Sequence, residues 1–148
     1  MDRNEARAAL DAVKNTDRAM ADRMRWPLWR HAIFGAMMTL VLLAVALPDP
    51  GRMLVLAILL LLTFLVVRDD KARLGMFVSG YQKGRTGWVL VLQFALLIAA
   101  LAATIMLVEN ALASPLFWAI AAVLLIGSTA ISLLWETIYR ADLKAGRA

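Results

Sequence analysis

Four long apolar runs, His31 to Leu47, Met53 to Val67, Trp88 to Val108 and Leu116 to about Ile138, alternate with charged stretches. In hydrocarbon a backbone must satisfy its own polar groups, so runs of this length read as membrane-spanning helices. Hydrophobic residues make up 62% of the 148, with a mean hydropathy of +0.72, which is well above the share usual in soluble domains and rules out a water-soluble fold. The expected fold is an all-α integral membrane protein, a bundle of four transmembrane helices formed as two helical hairpins.

At about 1.5 Å per residue the third and fourth runs reach roughly 30 to 35 Å, enough for a hydrocarbon core of about 30 Å. The first two reach only about 22 to 26 Å and need flanking residues, with Trp26 to Arg30 joining the first helix and Arg52 and Arg68 snorkelling. A monotopic hairpin confined to one leaflet is the competing arrangement for this pair. The predicted spans are about 29–47, 52–68, 87–108 and 115–139, within a transmembrane domain of residues 27–148. Pro48-Asp49-Pro50-Gly51 breaks the first two helices apart, and Ser114-Pro115 supplies an N-cap and a first helical residue for the fourth.

Fifteen of the sixteen basic residues lie in the N-terminal arm, the central loop and the C-terminal tail, leaving Arg52 alone in the two other connections. Retention of basic residues on the cytoplasmic side places both termini and the central loop there. Trp26, Trp29, Trp88, Trp135 and Tyr139 fall at the same boundary, where aromatic rings favour the headgroup level. Arginine outnumbers lysine twelve to four, a composition that suggests a GC-rich bacterium and its inner membrane.

Residues 1–26 hold no apolar stretch of signal-peptide type and read as a retained cytoplasmic amphipathic helix. Asp2 and Glu5 have capping-box spacing, and Ala6, Leu10, Val13, Met20 and Met24 fall near one side. This helix lies solvated or on the membrane, or serves as a docking element. The loop 69–86 places Leu74, Phe77, Val78 and Tyr81 at i, i+3, i+4 and i+7, which predicts a short interfacial helix between spans two and three. Arg68, Lys71, Arg73, Lys83 and Arg85 are its candidate contacts to anionic lipid headgroups. Glycines 80, 84 and 87 could form a phosphate-binding turn, but no GxxxxGK[ST] is present, and cations beside spans read as membrane electrostatics before nucleic-acid binding.

Within the spans, His31, Thr63, Gln93, Ser132 and Glu136 fall near one depth and form a candidate polar layer. His31, Gly35 and Thr39 repeat at four-residue spacing, as do Ser128, Ser132 and Glu136, so Gly35, Thr39, Ser128 and Ser132 are candidate packing positions. Two readings fit. In one the stripes are packing seams and Glu136 snorkels beside Arg140; in the other Glu136 pairs with His31 or Gln93 along a pathway. The absence of cysteine excludes dithiol relays, one histidine excludes bis-His haem ligation within the chain, and no metal-ligand spacing or nucleophile elbow occurs. No cofactor and no catalytic residue is expected. Small multidrug transporters also have four helices and a membrane-embedded Glu, but theirs lies in the first span, where this chain has no acid, so no family is recognised.

The expected function is that of a non-catalytic accessory or organising subunit, acting through helix packing and a basic, aromatic cytoplasmic face, as a homo-oligomer or within a larger complex. An oligomeric transporter or channel is the first alternative, and a lipid-modifying enzyme the second.

Overall fold

The computed structural model describes residues 2–74 and 85–145, which are helical with no strand among them. Helix α1 spans Arg3–Arg23, α2 Leu28–Ala46, α3 Gly51–Leu74, α4 Thr86–Ile105 and α5 Pro115–Lys144, with a 3-10 segment at Val108–Ala113. Four of these, α2 to α5, are long and apolar enough to cross a membrane.

Breakers and caps set the boundaries. Pro27 stands in extended conformation before α2, and its carbonyl accepts the Arg30 N–H at 3.0 Å. Glu5 accepts the Asp2 N–H at 3.2 Å and closes the first turn of α1. Ser114 occupies the N-cap of α5 ahead of Pro115, but its side chain makes no capping bond; its carbonyl accepts the Phe117 N–H instead. Arg52 does not merely snorkel. Its guanidinium donates to the carbonyls of Ala44 and Leu47, two acceptors that the end of α2 leaves free, which gives the lone basic residue at that end a structural task.

Helices α2 and α5 form the centre, α4 packs on both, and α3 makes its main contacts with α2. One apolar cluster, Leu42, Ala100, Ala111, Phe117, Ala121 and Leu124, fills the end nearer the 3-10 segment. A second, Ala21, Met24, Tyr139 and Leu143, joins α1 to the end of α5, with Trp26 and Trp135 packed against it. The opposite flank of α3 is apolar and open, with Leu54, Leu60 and Phe64 each more than half exposed.

Several expected boundaries move. Helix α3 continues to Leu74, so Arg68, Lys71 and Arg73 extend a spanning helix and do not begin a separate loop element. The proposed interfacial helix falls mostly on residues 75–84, outside the described residues. Helix α4 ends at Ile105, and α5 continues to Lys144, five residues past the expected span. In α1, Leu10 and Val13 are exposed while Ala21 and Met24 are buried, so contact is concentrated in its last turn and does not follow the whole stripe.

Candidate functional site

The first turn of α2 lies beside the last turns of α3 and α5. That juxtaposition concentrates ionisable side chains at one end of the bundle. His31 is fully buried, with Nδ1 at 2.8 Å from Ser132 Oγ and Nε2 at 2.9 Å from Glu136 Oε2. A neutral ring carrying its proton on Nε2 donates to Glu136 and accepts from the Ser132 hydroxyl. A protonated ring donates to both. Either state satisfies the seam. Arg140 approaches Glu136 at 3.6 Å, and its Nε donates to the Ala21 carbonyl at 2.9 Å, so the network continues from α2 through α5 into α1.

The order serine, histidine, carboxylate is also that of a nucleophile, base and orienting acid. Here Ser132 lies inside an uninterrupted helix, whose own backbone N–H groups are spent on carbonyls four residues back. The three side chains join α2 to α5. Glu136 is only 8% exposed.

Around this seam, Asp70 on α3 is fully buried and accepts from Arg30 Nε at 2.8 Å and from a terminal guanidinium nitrogen at 2.5 Å. The Arg30 guanidinium lies 3.8 Å from the centre of the Trp26 ring, and Trp26, Trp135 and Tyr139 stack in sequence. On α5, Asp142 accepts from both the backbone N–H and the Nε of Arg85, at 3.1 and 3.2 Å, which anchors the start of α4. Lys144 lies 3.0 Å from Asp22 and holds that exposed carboxyl below the ordinary carboxylate range, chiefly through the hydrogen bond and then through its charge.

A cavity of about 260 Å³ opens between α2, α3, α4 and α5. Its wall is mostly apolar and aromatic, including Trp26, Phe34, Val66 and Trp135, with Arg30, Thr63, Gln93 and Ser132 as polar members. Gln93 Nε2 donates to Ser128 Oγ at 3.0 Å, while Gln93 Oε1 and Trp26 Nε1 are buried without a hydrogen-bond partner among the described residues.

The fold thus brings His31, Ser132 and Glu136 into direct contact, and puts Thr63, Gln93 and Ser132 on one cavity wall. Thr63 does not join the hydrogen-bonded seam; its hydroxyl returns to the Leu59 carbonyl at 2.8 Å. Gly35 lies where α2 meets Thr129 and Leu125 of α5, and Thr39 bonds back to the Gly35 carbonyl. Ser128 joins α5 to α4 through Gln93. Of the cations assigned to lipid, Arg68 and Lys71 are exposed, Arg73 and Arg85 are paired with Asp69 and Asp142, and Lys83 lies outside the described residues. The sequence reading missed Arg30, Asp70 and Asp142, and Gly127, where an added Cβ would meet Leu96 at 2.9 Å. An acid among cations at a span end was the available signal for Asp70 and Asp142. No group of three or more His or acidic residues placed to hold a metal occurs among the described residues. Comparison with protein-family models, curated proteins and solved structures finds no match to this chain.

Proposed function

We infer that this chain is a non-catalytic multi-pass membrane protein, an accessory or organising subunit acting through helix packing and the basic, aromatic end of its bundle. The observation that supports this is the closure of that end. Arg30–Asp70, His31–Ser132–Glu136, Arg140–Ala21, Arg85–Asp142 and Lys144–Asp22 together tie all five long helices, and they spend the buried acids on structure. A coupled pathway needs an ionisable group free to change partners and reach water. Glu136 is held in a helix seam.

In this reading the closed end faces the cytoplasm of a bacterial inner membrane, the two hairpins share one orientation, and exposed Arg68 and Lys71 meet anionic headgroups. Reporter fusions at Asp49 and Asn110 are expected outside, and fusions at Lys83 and Ala148 inside. A cytoplasmic signal at Asp49 would replace the first spanning hairpin with a monotopic one.

The functional test uses purified protein in proteoliposomes under a pH gradient, beside Glu136→Gln and a fluorophosphonate label. The expected result is no gradient-driven flux from either protein and no label on Ser132. Flux that Glu136→Gln abolishes while the bundle stays folded would establish a transporter, and labelled Ser132 an enzyme.

A further inference from the structure

We propose that the cleft between α3 and α4 holds one anionic phospholipid, with its phosphate against Arg68 and Lys71 and an acyl chain in the cavity below them. This site rests on the reading above that the closed end of the bundle lies at headgroup level, and it narrows a general surface attraction to one place on the molecule.

Helix α3 packs on α2, and α4 packs on α2 and α5, but α3 and α4 do not pack on each other. The cavity of about 260 Å³ lies in that gap, walled by Thr63, Val66 and Val67 of α3 and by Val89 and Leu90 of α4. In a bilayer a gap between two spanning helices opens onto hydrocarbon, and a lipid tail matches an aliphatic wall. Leu60 and Phe64 stand three residues before Thr63 and Val67, so they border the same face of α3, and they are 73% and 61% exposed. That surface accommodates a second chain. Trp88, 53% exposed in the first turn of α4, and Trp26 and Trp135 on the cavity wall put the mouth of the cleft at interfacial depth.

Charge decides which lipid fits. Thr63, Val67 and Lys71 follow at four-residue steps, so Lys71 stands about 6 Å beyond the cavity wall on the same stripe of α3. Arg68, three residues before it, is its neighbour on the helix surface, with roughly 5 to 6 Å between their Cβ atoms. Both are exposed, and neither has an ion pair or hydrogen bond among the described residues. Arg73 and Arg85, by contrast, are paired with Asp69 and Asp142, and Arg30 on the cavity wall is paired with Asp70. A headgroup with one phosphate and no cation of its own complements the two free charges, whereas a choline headgroup brings a further positive charge to them.

The full chain in a mild non-ionic detergent is titrated with dioleoylphosphatidylglycerol and with dioleoylphosphatidylcholine, and bound lipid is counted by native mass spectrometry. The expected result is one phosphatidylglycerol bound ahead of any further copy, about tenfold tighter than phosphatidylcholine. Lys71→Gln should narrow that ratio to about threefold and Arg68→Gln/Lys71→Gln should remove it, whereas Arg73→Gln, which takes the same charge from the same helix, should leave it unchanged. Val67→Trp and Leu90→Trp fill the cavity from opposite walls, and each should weaken phosphatidylglycerol by about tenfold with helix content retained. An excess of sn-glycerol 3-phosphate, which offers the phosphate without a chain, should displace none of the lipid. Detergent has no sides, so the lipid assay can fail while the reporter fusions hold, and the fusions can fail while lipid binding stands. Equal affinities for the two lipids, a loss on Arg73→Gln as large as on Lys71→Gln, displacement by sn-glycerol 3-phosphate, or undiminished binding in a folded Val67→Trp or Leu90→Trp protein would each overturn the proposal.

Discussion

Asp70→Ala is expected to destabilise the bundle by about 3 to 5 kcal/mol, the cost of leaving a buried charge without its partner. Asp70 is fully buried, and the Arg30 side chain it neutralises is only 12% exposed. The pair also carries a disproportionate share of the attachment of α3, which has its main contacts with α2 and keeps most of its apolar surface outward. The double variant Arg30→Met/Asp70→Leu should recover most of the loss, because two apolar side chains need no counter-charge and breaking a buried pair costs more than replacing it. Unfolding in mixed micelles, followed by the amplitude and midpoint of the helical signal, compares the three proteins. A loss below about 1 kcal/mol in the single variant, or a double variant no better than the single, would show that the pair is solvated and not buried.

Gly35→Ala should cost about 1 to 3 kcal/mol although it adds one carbon, the cost of overpacking a close contact. An added Cβ lies 2.5 Å from the Leu125 carbonyl oxygen and closer still to Thr129 Oγ1. The carbonyl belongs to the backbone of α5 and cannot move without shifting the helix. Thr129 is constrained as well, because its hydroxyl donates to that same carbonyl at 2.7 Å. Gly87→Ala provides the internal comparison: nothing lies within 4 Å of its added Cβ. There the gain in helix propensity, up to about 1 kcal/mol, should appear unopposed. The two substitutions are chemically identical and should have opposite signs, measured by the same unfolding titration. Equal effects would mean that α2 and α5 are not in close contact at residue 35.

The spanning helices were readable in one dimension because their causes are local. Leu40 to Leu43 or Leu59 to Leu62 are apolar on every side, and such a segment in lipid has only its own backbone to bond with. The proline pair at 48 and 50 and the Ser114-Pro115 step mark ends in the same local way. Four-residue spacing also identified Gly35, Ser128 and Ser132 as small or polar positions sharing helix faces. Where a helix continues in polar residues, as α3 does through Asp69 to Leu74, hydropathy gives no boundary, and the end is set by what the last turns contact.

Pairing was decided elsewhere. The sequence placed His31, Ser132 and Glu136 near one depth, but depth leaves the rotation of each helix free, and contact requires the two faces to meet. Asp70 and Asp142 stand among cations in sequence, and helix packing turns both inward, one towards Arg30 and the other towards Arg85. The cavity has no sequence signature at all, since its wall comes from separate helices and the N-terminal connector, and Gln93 and Trp26 become unpartnered only once their neighbours are in place. The amino-acid sequence by itself determined that this chain is built of membrane-spanning helices and where they break. The tertiary structure alone decided which polar groups those helices bury against one another, because a charge or an amide is satisfied by a partner in space and hydropathy records only its neighbours along the chain.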